Sequence, residues 1–249
     1  MSGVLIVKPE AHGAPPVAAG SGAENLLTAD PNEVWIAPSA TPVAIQIDMG
    51  RMVEVDSFFL GSTNAAADAT WTIATNTVVD EGAVDRHAGK MRATDSLGPR
   101  HHSFVRLAAP VVSRYFTITV DQGGAVPLFA GNLVLGRAFE KHRERGAGRT
   151  LIDTGSRSDL PSGGFGTDDG VVKASFAFSF VDLTDVEVYN LWAIKKDRGL
   201  RRPVVVVEDD ALTLGQNEAI HYGVFDRFQP TNRVDPEATQ WAGAVIEWA

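Results

Sequence analysis

Apolar residues in this chain recur at every second position, in short runs broken by turn residues, and that pattern confines much of it to antiparallel β structure. Val43, Ile45 and Ile47 alternate with Ala44, Gln46 and Asp48, and Val53 and Val55 with Glu54 and Asp56. Trp71 and Ile73 alternate with Thr70 and Thr72, and Phe116, Ile118 and Val120 with Tyr115, Thr117 and Thr119. Successive side chains of a strand point to opposite faces, so each run buries one face and wets the other. Turn groups such as Asp48-Met49-Gly50 and Asp121-Gln122-Gly123-Gly124 separate the runs. Short strands at such spacing predict a sandwich or barrel. No helix of three turns is expected before residue 137. Residues 8–24 are rich in Gly, Pro and Ala without any period, and 1–23 is read as an N-terminal arm.

The composition shifts near residue 138. Residues 137–149 hold Arg137, Lys141, Arg143, Arg145 and Arg149 against Glu140 and Glu144. They read as a basic connector or as the first strand of a second domain, 138–249. Residues 156–170 contain Gly163, Gly164, Gly166, Gly170 and Pro161 and are expected to be a long loop. In the next segment Val172, Ala174, Phe176, Phe178 and Phe180 face one way and Lys173, Ser175, Ala177 and Ser179 the other, which is a strand with one buried face. Thr184-x-x-Glu187 is a capping box that opens a helix. Val186, Tyr189, Trp192 and Ala193 recur at helical spacing, widened by Leu191 and Ile194, and predict its apolar face. Lys195 and Lys196 suit its last turn and Gly199 its end. Residues 203–208, 220–228 and 241–248 read as strands. The order gives a small α+β unit, or a β-barrel with one flanking helix.

The chain has 249 residues, 44% hydrophobic and 21% charged, which is enough apolar material for a core. The formal net charge is −9, with 31 acidic against 22 basic residues. That balance argues against nucleic acid, whose binders carry a basic face. The longest aliphatic runs, Val4-Leu5-Ile6-Val7 and Val204–Val207, are far below the roughly 20 residues of a membrane helix, and no secretory leader is seen. Without cysteine the chain has no disulfide, thiolate metal site or Cys nucleophile.

No constellation of catalytic residues emerges. His101 and His102 are adjacent, so on a strand they point apart and do not share a metal. The Asp168-Asp169 and Glu208-Asp209-Asp210 clusters read as Asp-rich turns, with calcium ligation or acid/base work as the functional alternative. Ser156 lacks the Gly-x-Ser-x-Gly elbow, and Ser162-Gly163-Gly164-Phe165-Gly166 lacks the Lys and Ser/Thr of a phosphate loop. Trp71 and Trp192 are expected in the core, while one face of the strand bearing Trp241 and Trp248 is a candidate for a partner. No residue is assigned to catalysis, cofactor or metal, and no cofactor is expected.

Asn25-Leu26-Leu27, Trp35, Ile45-Gln46-Ile47-Asp48-Met49-Gly50, Val55-Asp56-Ser57 and Leu60-Gly61 resemble the opening of discoidin (coagulation factor type C) domains. Tyr115-Phe116-Thr117-Ile118 and Asn132-Leu133-Val134-Leu135-Gly136 are similar to the family's later strands. The resemblance implies a jelly-roll β-sandwich over residues 24–137. It carries over no ligand residue, and the family's terminal disulfide has no counterpart here. Phe176 to Phe180, the helix over residues 183–199, Tyr222-Gly223-Val224-Phe225 and Ile246-Glu247-Trp248 resemble the barrel-with-helix modules of siphophage distal tail proteins. That likeness implies a structural protein of a tailed-phage virion, made in the bacterial host cytoplasm. Its residues 138–249 would form a homo-oligomeric ring, a hexamer or trimer, beside tail tube, hub or fibre proteins. The jelly roll would project towards a host-surface glycan. A non-catalytic carbohydrate-binding protein is the alternative.

Overall fold

The computed structural model describes residues 3–39, 42–76, 82–93, 100–123, 126–144, 146–228, 231–233 and 239–248; Arg145 of the basic stretch lies outside them. The chain is mainly β with one α-helix. It forms two compact units, residues 1–140 with 204–220, and residues 141–203 with 221–249. Residues 204–220, assigned by sequence to the second domain, therefore cluster with the first.

In chain order the first unit begins with β1 (Val4–Val7), β2 (Val17–Ala18), β3 (Trp35–Ile36), β4 (Val43–Thr63) and β5 (Thr70–Asn76). It continues with β6 (Val84–Lys90), β7 (His101–Asp121), β8 (Phe129–Ala130), β9 (Asn132–Gly136) and β10 (Ala138–Lys141). The second unit holds β11 (Gly148–Asp153), β12 (Ser156–Asp159), β13 (Phe165–Asp168), β14 (Val172–Leu183) and α1 (Asp185–Arg198). The chain then gives β15 (Val204–Val207) to the first unit, and β16 (Ile220–Phe228), β17 (Asn232–Arg233) and β18 (Thr239–Glu247) follow.

The first unit is organised by β4 and β7, paired antiparallel along most of their lengths within the order β2-β4-β7-β5-β6. The alternation read from sequence decides the faces. Ile45, Ile47, Trp71, Ile73, Phe116, Ile118 and Val120 turn inward to a core with Trp35, Phe58, Leu60, Leu133 and Leu135. The register slips between Asp48 and Val53, where Gly50 takes φ 70°, a conformation that costs glycine nothing. The arm is not free. Val4–Val7 is buried and pairs with β15, Leu5 opposite Val207 and Val7 opposite Val205. Four consecutive aliphatic residues carry no period, and what shows them to be a strand covered on both faces is the partner some 200 positions away.

In the second unit Phe176, Phe178 and Phe180 of β14 share a face with Trp241 and Val245 of β18, their cross-strand partners. The rings pack edge-on or tilted at 5.3–5.8 Å, a favourable aromatic arrangement. Among the described residues β11 lies at one end of this sheet. α1 carries both halves of the predicted capping box, Thr184 and Glu187. Its orientation corrects the sequence reading. Leu191, Ile194 and Lys195 are buried, whereas Val186, Tyr189 and Trp192 are exposed. Residues 156–170 are likewise not a loop but the paired strands β12 and β13. Neither strand buries a side chain, so backbone pairing left no apolar period to read.

Candidate functional site

The one-residue alternation that sends Ile47, Phe116 and Thr75 inward sends Asp48, Tyr115 and Asn76 outward. These three residues are consecutive cross-strand partners on β4, β7 and β5. Gln46, Thr117 and Ala74 form the next row, and Val17 of β2 pairs with Gln46. The segment before β2 supplies a wall. The Gly13 and Ala14 N–H groups donate to the Asp48 carbonyl at 2.8 and 3.3 Å, and Glu10 pairs with Arg51 at 2.9 Å. The approach is tight: a Cβ on Gly13 would lie 2.4 Å from the Gly50 backbone. The result is a cleft of about 280 Å³ between Ala14, Pro15, Val17 and the two rows, near the lower end of small-molecule sites.

The walls of the cleft are largely apolar, and its one charged group is held in place. The Arg114 guanidinium donates to both Asp48 carboxylate oxygens, at 2.8 and 2.9 Å, and lies 4.8 Å from the Tyr115 ring centroid. The Asp48 carboxyl is lowered to about 2 by the side-chain bond from Arg114, then by the Gly50 N–H. Asp48 is thus an anion at any ordinary pH, with its charge matched. Asn76 is buried, 8% exposed, and its Oδ1 has no hydrogen-bond partner among the described residues. A buried amide oxygen left unpaired costs about 1–3 kcal/mol. Among the described residues that line the cleft there is no His, Ser or Lys; its polar groups are those of Gln46, Asp48, Asn76, Tyr115 and Thr117.

The residues singled out by sequence lie elsewhere. His101 is buried and His102 half-buried, and the His102 Nδ1 accepts from the Ser62 N–H at 3.3 Å. Asp209 caps its own turn through the Ala211 N–H at 3.0 Å, and Asp168 and Asp169 are exposed at the base of the β12–β13 hairpin. Among the described residues no three His, Asp or Glu side chains converge as metal ligands. His221, isolated in sequence, is buried with its Nδ1 2.8 Å from Glu247 and its ring stacked 5.1 Å from Phe176. Of the tryptophans, Trp35, Trp71 and Trp241 are core and Trp192 is 57% exposed, contrary to expectation. A second, polar cleft of about 520 Å³ contains Asp56, Arg106, Arg137 and Asp210. Its guanidiniums are matched, Arg106 by Glu140 and Arg137 by Glu54, both at 2.5 Å. Sequence reasoning passed over Asp48, Tyr115 and Asn76 because each is an ordinary outward position of its strand. The signal present was that all three are hydrogen-bonding residues opposite the apolar face of their strands, and Asn76 ends β5.

No family model matches the chain, and neither does any curated protein. Among solved structures it is similar to a fucosidase of glycoside hydrolase family 29 from Ruminococcus gnavus. There the identity is 12%, the match covers 53% of this chain and 27% of that one, and the TM-score is 0.41. It is similar to chitosan-binding module 1 of a chitosanase/glucanase from Paenibacillus sp. IK-5, at 12% identity, 51% of this chain and 98% of that one, TM-score 0.41. A carbohydrate-binding module of family 32 from a Clostridium perfringens glycoside hydrolase matches at 12% identity, 53% and 93% coverage, TM-score 0.36. The chain thus spans about a quarter of the fucosidase and nearly all of the two modules. Among the described residues no helix is long and apolar enough to cross a membrane.

Proposed function

We propose that the protein is a non-catalytic carbohydrate-binding protein whose first unit holds a single sugar ring in the cleft at Asp48, Tyr115 and Asn76. The observation that carries this reading is the Asp48 carboxylate, fixed by Arg114, beside the Tyr115 phenol and the side chains of Gln46 and Thr117. Together they present convergent hydrogen-bonding groups over apolar walls, the composition that orients a small polyol. Calorimetric titration with a panel of neutral and aminated oligosaccharides tests it. A panel member is expected to bind, and Asn76→Ala and Tyr115→Ala each to weaken it about tenfold, as expected for a lost hydrogen bond or ring contact. Binding that both variants leave unchanged refutes the site.

The second reading is a structural role in a tailed-phage virion, with the second unit in a ring at the distal tail and the first facing a host glycan. It draws on the exposed apolar side chains of the second unit, Val186 (69%), Tyr189 (71%), Trp192 (57%) and Phe165 (58%), since exposed apolar groups of this size mark assembly surfaces. Native mass spectrometry tests it through a trimer or hexamer, and a monomer at all concentrations sinks it.

A further inference from the structure

The strands β11 to β14 form one long hairpin. Its rungs run from Gly148–Ala177 to Asp153–Val172. The Thr154 N–H then donates to the Val171 carbonyl at 3.2 Å, and further rungs run from Ser156–Asp168 to Asp159–Phe165. The two parts meet where Gly155 and Gly170 cross, so closely that a Cβ on Gly170 would lie 1.9 Å from the Gly155 nitrogen. No side chain of residues 148–172 is buried. Leu151 (72%), Leu160 (44%), Phe165 (58%), Val171 (49%) and Val172 (55%) stand in solvent. An isolated two-stranded ribbon is marginal in water, and an edge strand with free backbone donors and acceptors is a template for another strand.

β11 is an edge strand of its sheet, with β14 its only strand partner among the described residues. Its sequence, Gly148-Arg149-Thr150-Leu151-Ile152-Asp153, is complementary to itself. An antiparallel copy centred on Leu151 sets Leu151 against Leu151, Arg149 against Asp153 and Asp153 against Arg149. These residues occupy the sheet face that carries Phe176, since Arg149 pairs with Phe176 and Leu151 with Ala174. The same register carries the second copy's chain past Gly148 towards Gly146. Opposite charges across a strand pair stabilise it and like charges destabilise it, and a two-fold contact repeats each pair twice.

We propose that β11 is a two-fold dimerisation edge, pairing with β11 of a second copy of this chain so that the sheet continues from one protomer into the next, centred on Leu151. The inference is independent of the sugar cleft. The test uses the full-length protein in analytical ultracentrifugation. Arg149→Asp leaves two acids facing two acids, and Asp153→Arg two bases facing two bases. Each variant alone is expected to dissociate at least tenfold more readily than the wild type, and an equimolar mixture of the two to regain the wild-type affinity. Leu151→Lys, at an exposed position that leaves the protomer's core untouched, is expected to weaken the dimer as strongly. A wild-type monomer at about 100 μM overturns the proposal. So does a trimer or hexamer indifferent to all three substitutions, or a mixture that stays as dissociated as its components.

Discussion

Replacing Leu191 and Trp192 in turn decides which side of α1 supports the fold. Leu191 is 2% exposed and shares the inward face with Ile194 and Lys195, whose ammonium lies 5.3 Å from the Trp241 ring. Burial pulls that ammonium below the ordinary lysine range. Truncating a buried leucine to alanine costs about 2–5 kcal/mol, the lost transfer energy plus the cavity left behind. Trp192 is the larger residue but 57% exposed. Its identifiable contact is the Lys195 ammonium 5.5 Å from its ring, worth about 0.5–1 kcal/mol near a surface. Leu191→Ala is therefore expected to cost at least twice as much as Trp192→Ala. Urea unfolding followed by far-ultraviolet circular dichroism measures both. With a slope of about 1–3 kcal/mol per molar urea, Leu191→Ala moves the midpoint by about 1 M or more and Trp192→Ala by a small fraction of that. The apolar stripe read from sequence makes the opposite forecast, since a buried tryptophan truncated to alanine costs about 3–5 kcal/mol. A larger loss for Trp192→Ala refutes the orientation described here.

Thr184→Ala removes the hydroxyl that accepts from the Glu187 N–H and is expected to cost about 1 kcal/mol in the same denaturation assay. Burial lowers the His12 imidazole from 6.5 to about 4. The unfolded chain therefore takes up a proton that the folded one refuses; the stabilisation is complete above pH 6.5 and is lost as the pH falls towards 4, by at most about 3 kcal/mol. His12→Leu should flatten that part of the stability–pH curve, and an unchanged slope would dismiss His12 as its source. Limited proteolysis should cut first at the exposed tip around Ser162-Gly163-Gly164, ahead of β10 at residues 138–141; first cleavage within β10 would contradict this. Ile6→Ala, at a residue with 0% exposure, should cost about 2–4 kcal/mol by thermal unfolding, whereas a free arm would lose nothing.

The alternating runs around Ile45, Trp71, Ile118 and Phe178 were legible because each is half-buried, and a half-buried strand writes its period into the sequence. The helix start was legible for the same kind of reason, since Thr184 and Glu187 satisfy orphan amides within one turn. The sugar cleft was not legible. Asp48, Tyr115 and Asn76 are separated by tens of residues and become neighbours through the register of three strands.

Sequence alone determined the β character of the chain, the inward faces of its main strands, the helix cap and the lack of thiol chemistry. These follow from side-chain period, local hydrogen bonding and composition. Tertiary structure decided the rest. Val4–Val7 became a core strand because β15 arrives beside it, and α1 turned Leu191 inward because packing on the aromatic sheet overrode the apolar stripe along its length. Residues 156–170 paired as strands through backbone bonds to which side chains contribute little. Which outward residues share a cleft, and which strand is left with an unpaired edge, depend on long-range pairing, and no local pattern encodes it.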